Sequence, residues 1–132
     1  MTIAASGMAA AMASLTASAS NVANANSAGP TADFTPVNAQ SPAGAYQPAV
    51  VTLTSMAGGG VSATVTRSSP GALLSYDPTA PFADTQGMVA VPNVDFATEA
   101  VNQLSASMAF QANLKVFQAA NRNLDTLLNI LI

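Results

Sequence analysis

The sequence predicts a mainly α protein with a small β-hairpin. Long N- and C-terminal helices pack as a coiled-coil-like unit in a helical polymer, with a central extended segment between them. Three observations predict this. Met1, Ala5, Met8, Met12, Leu15, Ala19 and Val22 follow a 4-3 spacing; Phe110, Leu114, Phe117, Leu124, Leu128 and Leu131 repeat it at the other end, with Asn121 filling one slot. Such a repeat holds apolar side chains on one seam of a helix, where they meet a partner helix. The opposite faces are Ser, Thr, Asn and Ala, with no ionisable side chain before Asp33. A solvated helix face normally carries Lys and Glu, so these helices read as surrounded by protein. Thirdly, Gly58-Gly59-Gly60 separates two strand-like runs.

Element by element, residues 3 to about 27 form the first helix. Asn24 to Ser27 weaken it, and Gly29-Pro30 stops it, since Gly suits a left-handed cap and Pro cannot continue. Residues 30–46, rich in Pro, Ala, Ser and Gly, read as a loop. Gln47 to Met56 carries Val50, Val51 and Leu53, and Val61 to Arg67 alternates Val61, Ala63 and Val65 with Ser62, Thr64 and Thr66. With the triple glycine between them, these two runs predict a β-hairpin. Prolines with Gly71 and Gly87 make Ser68 to Pro92 extended and loop-like, apart from a short strand at Met88 to Val91. Asn93 caps the second helix, and Asp95 and Glu99 place negative charge on its positive end. Its first stripe, Val94, Ala97, Val101, Leu104 and Met108, breaks register near Phe110, which predicts a change of neighbours along the helix. That helix runs nearly to Ile132. The chain thus divides into 1–28, 29–92 and 93–132.

Composition narrows the function. Charged residues are 7% of the 132, against about 25% in typical soluble proteins. Five Phe, two Tyr and no Trp limit what one copy can bury, so stability is expected to come largely from association. Arg67, Lys115 and Arg122 are the only basic side chains, too few for a surface that tracks nucleic-acid phosphates. The absence of His and Cys removes Ser-His-Asp and Cys-His chemistry and the commonest zinc ligands. The uncharged N-terminus, with Ala17-Ser18-Ala19, imitates a signal peptide. No Lys or Arg precedes it, however, and Ser, Thr and Asn interrupt it too often for a lipid-spanning helix.

Few residues invite a chemical reading. Asp77 and Asp84 lie in a Pro-rich loop without EF-hand spacing and read as turn residues. The triple glycine lacks the Gly-Lys-Ser/Thr continuation of a phosphate loop. Met1, Met8 and Met12 are adaptable packing. No catalytic, cofactor-binding or metal-binding residue is expected, and an enzyme is excluded for want of a base and nucleophile. One competing arrangement stays open: a monomeric helical hairpin packed on the β-hairpin.

Particular residues go further. Ser6-Gly7-Met8, Leu15, Ser20-Asn21-Val22-Ala23-Asn24-Ala25-Asn26-Ser27 and Gly29 resemble the N-terminal signature of the flagellar basal-body rod and hook protein family. Asn93-Val94-Asp95, Glu99, Val101, Gln111-Ala112-Asn113, Lys115-Val116 and the closing Leu-rich turn resemble its other end. Gly58-Gly59-Gly60-Val61, Tyr76-Asp77-Pro78, Pro81, Ala83-Asp84, Gly87 and Val89, leading into Pro92-Asn93-Val94, are similar to the proximal-rod type within it. Only five residues precede Ser6-Gly7, fewer than the family usually has, which predicts a short first helix. Ser107-Met108-Ala109-Phe110 stands where the family often has Arg and Tyr.

The resemblance implies a structural subunit of the bacterial flagellar rod, the drive shaft that transmits torque. Its partners would be copies of itself and other rod subunits in a helical tube, with basal-body ring proteins nearby. It would bind no nucleic acid and insert in no membrane. It would lie in the basal body across the periplasm, exported by the flagellar type III apparatus without a cleaved signal peptide. The subunit interface would comprise Met8, Met12, Leu15, Ala19, Val22, Val101, Leu104, Met108, Phe110, Leu114, Phe117, Leu124, Leu128 and Leu131. The alternative is a secreted coiled-coil adhesin or interaction module using the same helices.

Overall fold

The computed structural model describes residues 1–31 and 44–130. Six elements follow in order: α1 Thr2–Asn24, β1 Ala49–Ser55, β2 Val61–Arg67, β3 Ala72–Tyr76, β4 Met88–Pro92 and α2 Phe96–Ile130. The two long helices and the antiparallel strands expected from the sequence are present, with one further sheet. Most of the expected loop at 30–46, together with Leu131, lies outside the described residues.

Alanine, the strongest helix former, recurs throughout α1 and sustains it without an N-terminal side-chain cap. The helix ends at Asn24, three residues before the expected Ser27. The Asn24 side chain donates back to the Ser20 carbonyl, and the Ser27 hydroxyl and amide both take the Asn24 carbonyl. These local bonds compete with further helix. Gly29 is not a left-handed cap. It forms a two-way bridge with Ala90, each amide donating to the other's carbonyl at 2.9 Å. A Cβ there would collide with the backbone of Ala45, so close approach is what requires glycine.

β1 and β2 pair antiparallel from Ala49↔Arg67 to Ser55↔Val61. Gly59 and Gly60, at φ 83° and 93°, supply the left-handed backbone of the connecting turn. Alternation puts Ala49, Val51, Leu53, Val61, Ala63 and Val65 on one face, while Thr52, Thr54, Ser62, Thr64 and Thr66 share the other. The apolar face leans on α1.

The stretch 68–92 is more ordered than expected. β4 extends the expected short strand to Pro92, and it pairs with β3, which lies in the stretch expected to be loop. Leu73, Leu74 and Tyr76 of β3 are exposed, so no buried alternation marked it. Its backbone pairing with β4, whose Val89 is the largest fully buried side chain, defines it instead.

α2 starts at Phe96 rather than after Asn93. Asp95 is the cap: Oδ1 accepts from the Ala97 amide at 3.0 Å and Oδ2 from the Thr98 hydroxyl at 2.7 Å. Asn93 belongs to the preceding corner, its amide donating to the Gly71 carbonyl and its side chain to that of Pro70.

The helices run antiparallel. Ser18 Oγ donates to the Glu99 carbonyl, while Gly7 lies against Asn113. By that register the start of α1 lies beside about residue 118, and α2 continues roughly 18 Å beyond it to Ile130 at about 1.5 Å per residue.

Candidate assembly interface

The face that α1 buries is not its apolar stripe. Ala4, Ala10, Ala11, Ala17, Ser18 and Asn21 are buried. At about 100° per residue this small-residue face lies roughly 115° around the helix from the Met8–Met12–Leu15 seam. Small side chains bring α1 close to α2, while the larger ones are left over. Met1 and Met12 are exposed, and Met8, Leu15 and Val22 are only half-buried, with Ala19 exposed.

α2 divides the same way. Glu99 and Ala106 are buried, and Gln103, Phe110, Asn113, Leu114 and Phe117 are half-buried along the same side. Val101, Leu104 and Met108, at 60–62% exposure, point nearly opposite. The break in register near Phe110 therefore has a geometric cause. Before it the apolar stripe looks away from α1, and after it the stripe turns inward. Beyond the start of α1 that inner seam continues without cover at Leu124 and Leu128, and Leu127 and Ile130 to its side are exposed as well. Leu131 lies outside the described residues.

A polar cluster fixes the register between helices and hairpin. Asn21 is 2% exposed and uses its full hydrogen-bonding capacity. Its Nδ2 donates to Glu99 Oε1 at 2.7 Å and to the Ala49 carbonyl at 2.9 Å; its Oδ1 accepts from the Ala49 amide at 2.7 Å and the Tyr46 hydroxyl at 3.0 Å. Asn102 donates to the other carboxylate oxygen of Glu99 at 3.4 Å. Glu99 thus does more than complement the helix dipole, which was its expected role. Sequence reasoning missed this cluster, although Asn21 and Glu99 both stand within the motifs quoted above. Buried polar groups persist only when paired, and here the pairs join α1, α2 and β1.

Asp77 and Asp84 serve as turn residues. Asp77 Oδ1 accepts from the Thr79 hydroxyl at 2.7 Å and from its amide at 3.1 Å, which together hold its carboxyl below the usual range. The Met88 amide at 2.8 Å, with that of Gln86 at 2.9 Å, does the same for Asp84. Thr98 and Ala97 lower Asp95. Among the described residues no three His, Cys, Asp or Glu side chains come together as a metal site.

By length and composition α1 is apolar enough to cross a membrane. Its buried Ser18 and Asn21 instead find their partners on α2 and β1.

Two long antiparallel helices, with Met12 of α1 and Val101, Leu104 and Met108 of α2 exposed, define a helical-hairpin protein that presents large apolar side chains on its surface. Comparison with known proteins gives its family. Residues 85–130 match the family model described as the flagellar basal body rod FlgEFG protein C-terminal region. The chain is 42% identical over 116 residues to the flagellar basal-body rod protein FlgC of Salmonella typhimurium, covering 86% of this chain and 82% of that one. It is 51% identical over 43 residues to FlgC of Escherichia coli O6:H1, covering 33% of this chain and 32% of the relative. FlgC of Aquifex aeolicus is 43% identical over 51 residues, 39% of this chain and 38% of the relative. The chain belongs to the FlgC family of flagellar basal-body rod proteins.

Proposed function

We propose that the chain is a structural subunit of the proximal part of the bacterial flagellar basal-body rod, assembling with copies of itself and with other rod proteins into a torque-transmitting shaft. The observation that carries this reading is the outward position of the large apolar residues on both helices of a FlgC-family chain. Exposed stripes of this kind mark contact with other proteins. Family membership favours the rod over the adhesin or interaction module.

In this reading the outer stripe of α1 (Met8, Met12, Leu15, Ala19, Val22) and that of α2 (Val101, Leu104, Met108) pack in coiled-coil fashion against neighbouring subunits. Leu124, Leu128 and Leu131 extend the contact, while Phe110, Leu114 and Phe117 join it where they are left half-covered. Residues 1–28 and 93–132 supply the tube and 29–92 its outer contacts, with ring proteins adjoining. Torque passes through many dry contacts that resist sliding, with no catalytic step. Export occurs unfolded and without a cleaved signal peptide, and the assembled shaft crosses the periplasm. Few charges and a small-residue first helix suit passage through a narrow channel.

Deletion of the gene tests the reading. Electron microscopy of basal bodies from the deletion strain is expected to show rings without a rod, in non-motile cells restored by the intact gene. Complete rods in that strain would refute it.

A further inference from the structure

The β1–β2 hairpin stands on α1 between two open spaces. A groove of about 640 Å³ lies on its α2 side, and a cleft of about 600 Å³, lined by Met12, Thr16, Val65 and Arg67 among others, lies on the other. The two ends of the hairpin are held very differently. At the base, Asn21 pairs with Ala49 as a residue of a neighbouring strand would. Its Oδ1 accepts from the Ala49 amide at 2.7 Å and its Nδ2 donates to the Ala49 carbonyl at 2.9 Å. Beside this pair the Ser68 amide donates to the Pro48 carbonyl at 2.8 Å. The Arg67 guanidinium donates to the Gln47 carbonyl at 2.9 Å and lies 5.7 Å from the centre of the Tyr46 ring.

At the tip, among the described residues, one hydrogen bond reaches α1: the Val61 amide donates to Ser6 Oγ at 3.2 Å. Ser6 in turn donates to the Ile3 carbonyl at 2.8 Å. The contact therefore ties the hairpin to the first turns of a helix that has no side-chain cap. Gly59 and Gly60 permit the approach. A Cβ on Gly60 would collide with Ser6 Oγ, and one on Gly59 would stand 3.1 Å from Ile3 Cδ1. A single hydrogen bond of this kind shifts an equilibrium only about two- to tenfold, so the tip opens far more readily than the base.

We propose that the hairpin is a lever hinged at its base, where Asn21 grips Ala49, and latched at its tip by Ser6. It exchanges between a seated and a released position while the base stays on α1. Release is coupled to loosening of the first turns of α1, because one hydroxyl serves both. The open spaces on either side give the lever room to swing without disturbing the helix pair. The device is intramolecular and stands whether or not the chain assembles into a rod.

The chain has no cysteine, so spin labels on introduced thiols report only on themselves. Gly58→Cys, at a position where a Cβ meets open space, labels the tip. Thr66→Cys, exposed near the base, labels the hinge, and each is paired with the exposed Lys115→Cys on α2. Full-length labelled chain is diluted with unlabelled protein, and distances are measured by pulsed dipolar spectroscopy. The tip distribution is expected to be broader than the base distribution, and Ser6→Ala is expected to broaden or shift the tip alone. In the same variant, amide hydrogen exchange at Val61 should rise about fivefold while Ala49 keeps its protection. A tip as narrowly distributed as the base in both chains overturns the proposal. So does a Val61 exchange rate indifferent to Ser6→Ala, or a Ser6→Ala chain in which the base broadens and Ala49 loses protection together with Val61.

Discussion

At the scale of single residues, Asn21 does the most to define the fold. It is one side chain with four hydrogen bonds, to Glu99 on α2, to both backbone groups of Ala49 on β1 and to Tyr46 just before that strand, and its loss strands Glu99 Oε1 and both polar groups of Ala49. Asn21→Ala is expected to destabilise the chain by about 2–4 kcal/mol, the range for leaving buried polar groups unpaired. Asn21→Asp is expected to be worse at neutral pH, because it sets a second carboxylate 2.7 Å from Glu99, the distance Nδ2 occupies now. Chemical denaturation of the two variants checks the order, and the gap between them should narrow on acidification. A variant pair of equal stability at pH 7 would mean the cluster is not what joins the helices. The sequence displays Asn21 and Glu99 but not their meeting, since a separation of 78 in residue number says nothing of distance in space.

At the scale of elements, two carboxylates hold ends in place. Asp95 starts α2, and Asp84 closes the turn into β4. Both release their protons more readily in the folded chain than the ordinary carboxylate value of 3.8. Protonation is therefore coupled to unfolding: the stabilisation is fully present above that value and is lost as pH falls below it. Thermal melts followed by circular dichroism are expected to be insensitive to these groups between pH 7 and about 5, then to fall in acid. Asp95→Asn and Asp84→Asn should flatten the acid limb while leaving the neutral fold intact. Of the elements, α1, the β1–β2 hairpin, β4 and most of α2 were legible, because periodicity and glycine placement are local signals. β3 was not, because exposed Leu73, Leu74 and Tyr76 give no alternation and only its partner β4 defines it. The cap moved from Asn93 to Asp95 for a related reason: Asn93 is held by Pro70 and Gly71 across the β3–β4 corner.

At the scale of the whole molecule, the described core is built largely from alanines, with Val89 its largest fully buried side chain. Large apolar residues are left on the outside. Burying them is worth about 1.5–3 kcal/mol each, and one copy forgoes that gain along both helices. The purified chain is therefore expected to melt at a temperature that rises with protein concentration, as stability linked to association requires. Leu104→Asp, at a position 62% exposed, should leave the single-copy fold intact while abolishing that dependence and the incorporation of the protein into basal bodies. Circular dichroism, sedimentation velocity and a swimming assay check the three parts. Normal rods and motility in the Leu104→Asp strain would remove α2's outer stripe from the interface.

The sequence by itself determined that both ends are helical, that their apolar residues form seams, and that almost no charge protects the opposite faces. Spacing and composition are properties of the chain alone and survive any arrangement in space. Its motifs also carried the family. What only the tertiary structure decided is which side of each helix faces inward. A 4-3 stripe of large residues normally marks the buried side, yet here the alanine side packs, because small residues let the helices approach closely and let Asn21 reach Glu99. That choice turns Met12, Leu104 and their neighbours outward, and so leaves residues that look like a core on the surface of the single chain.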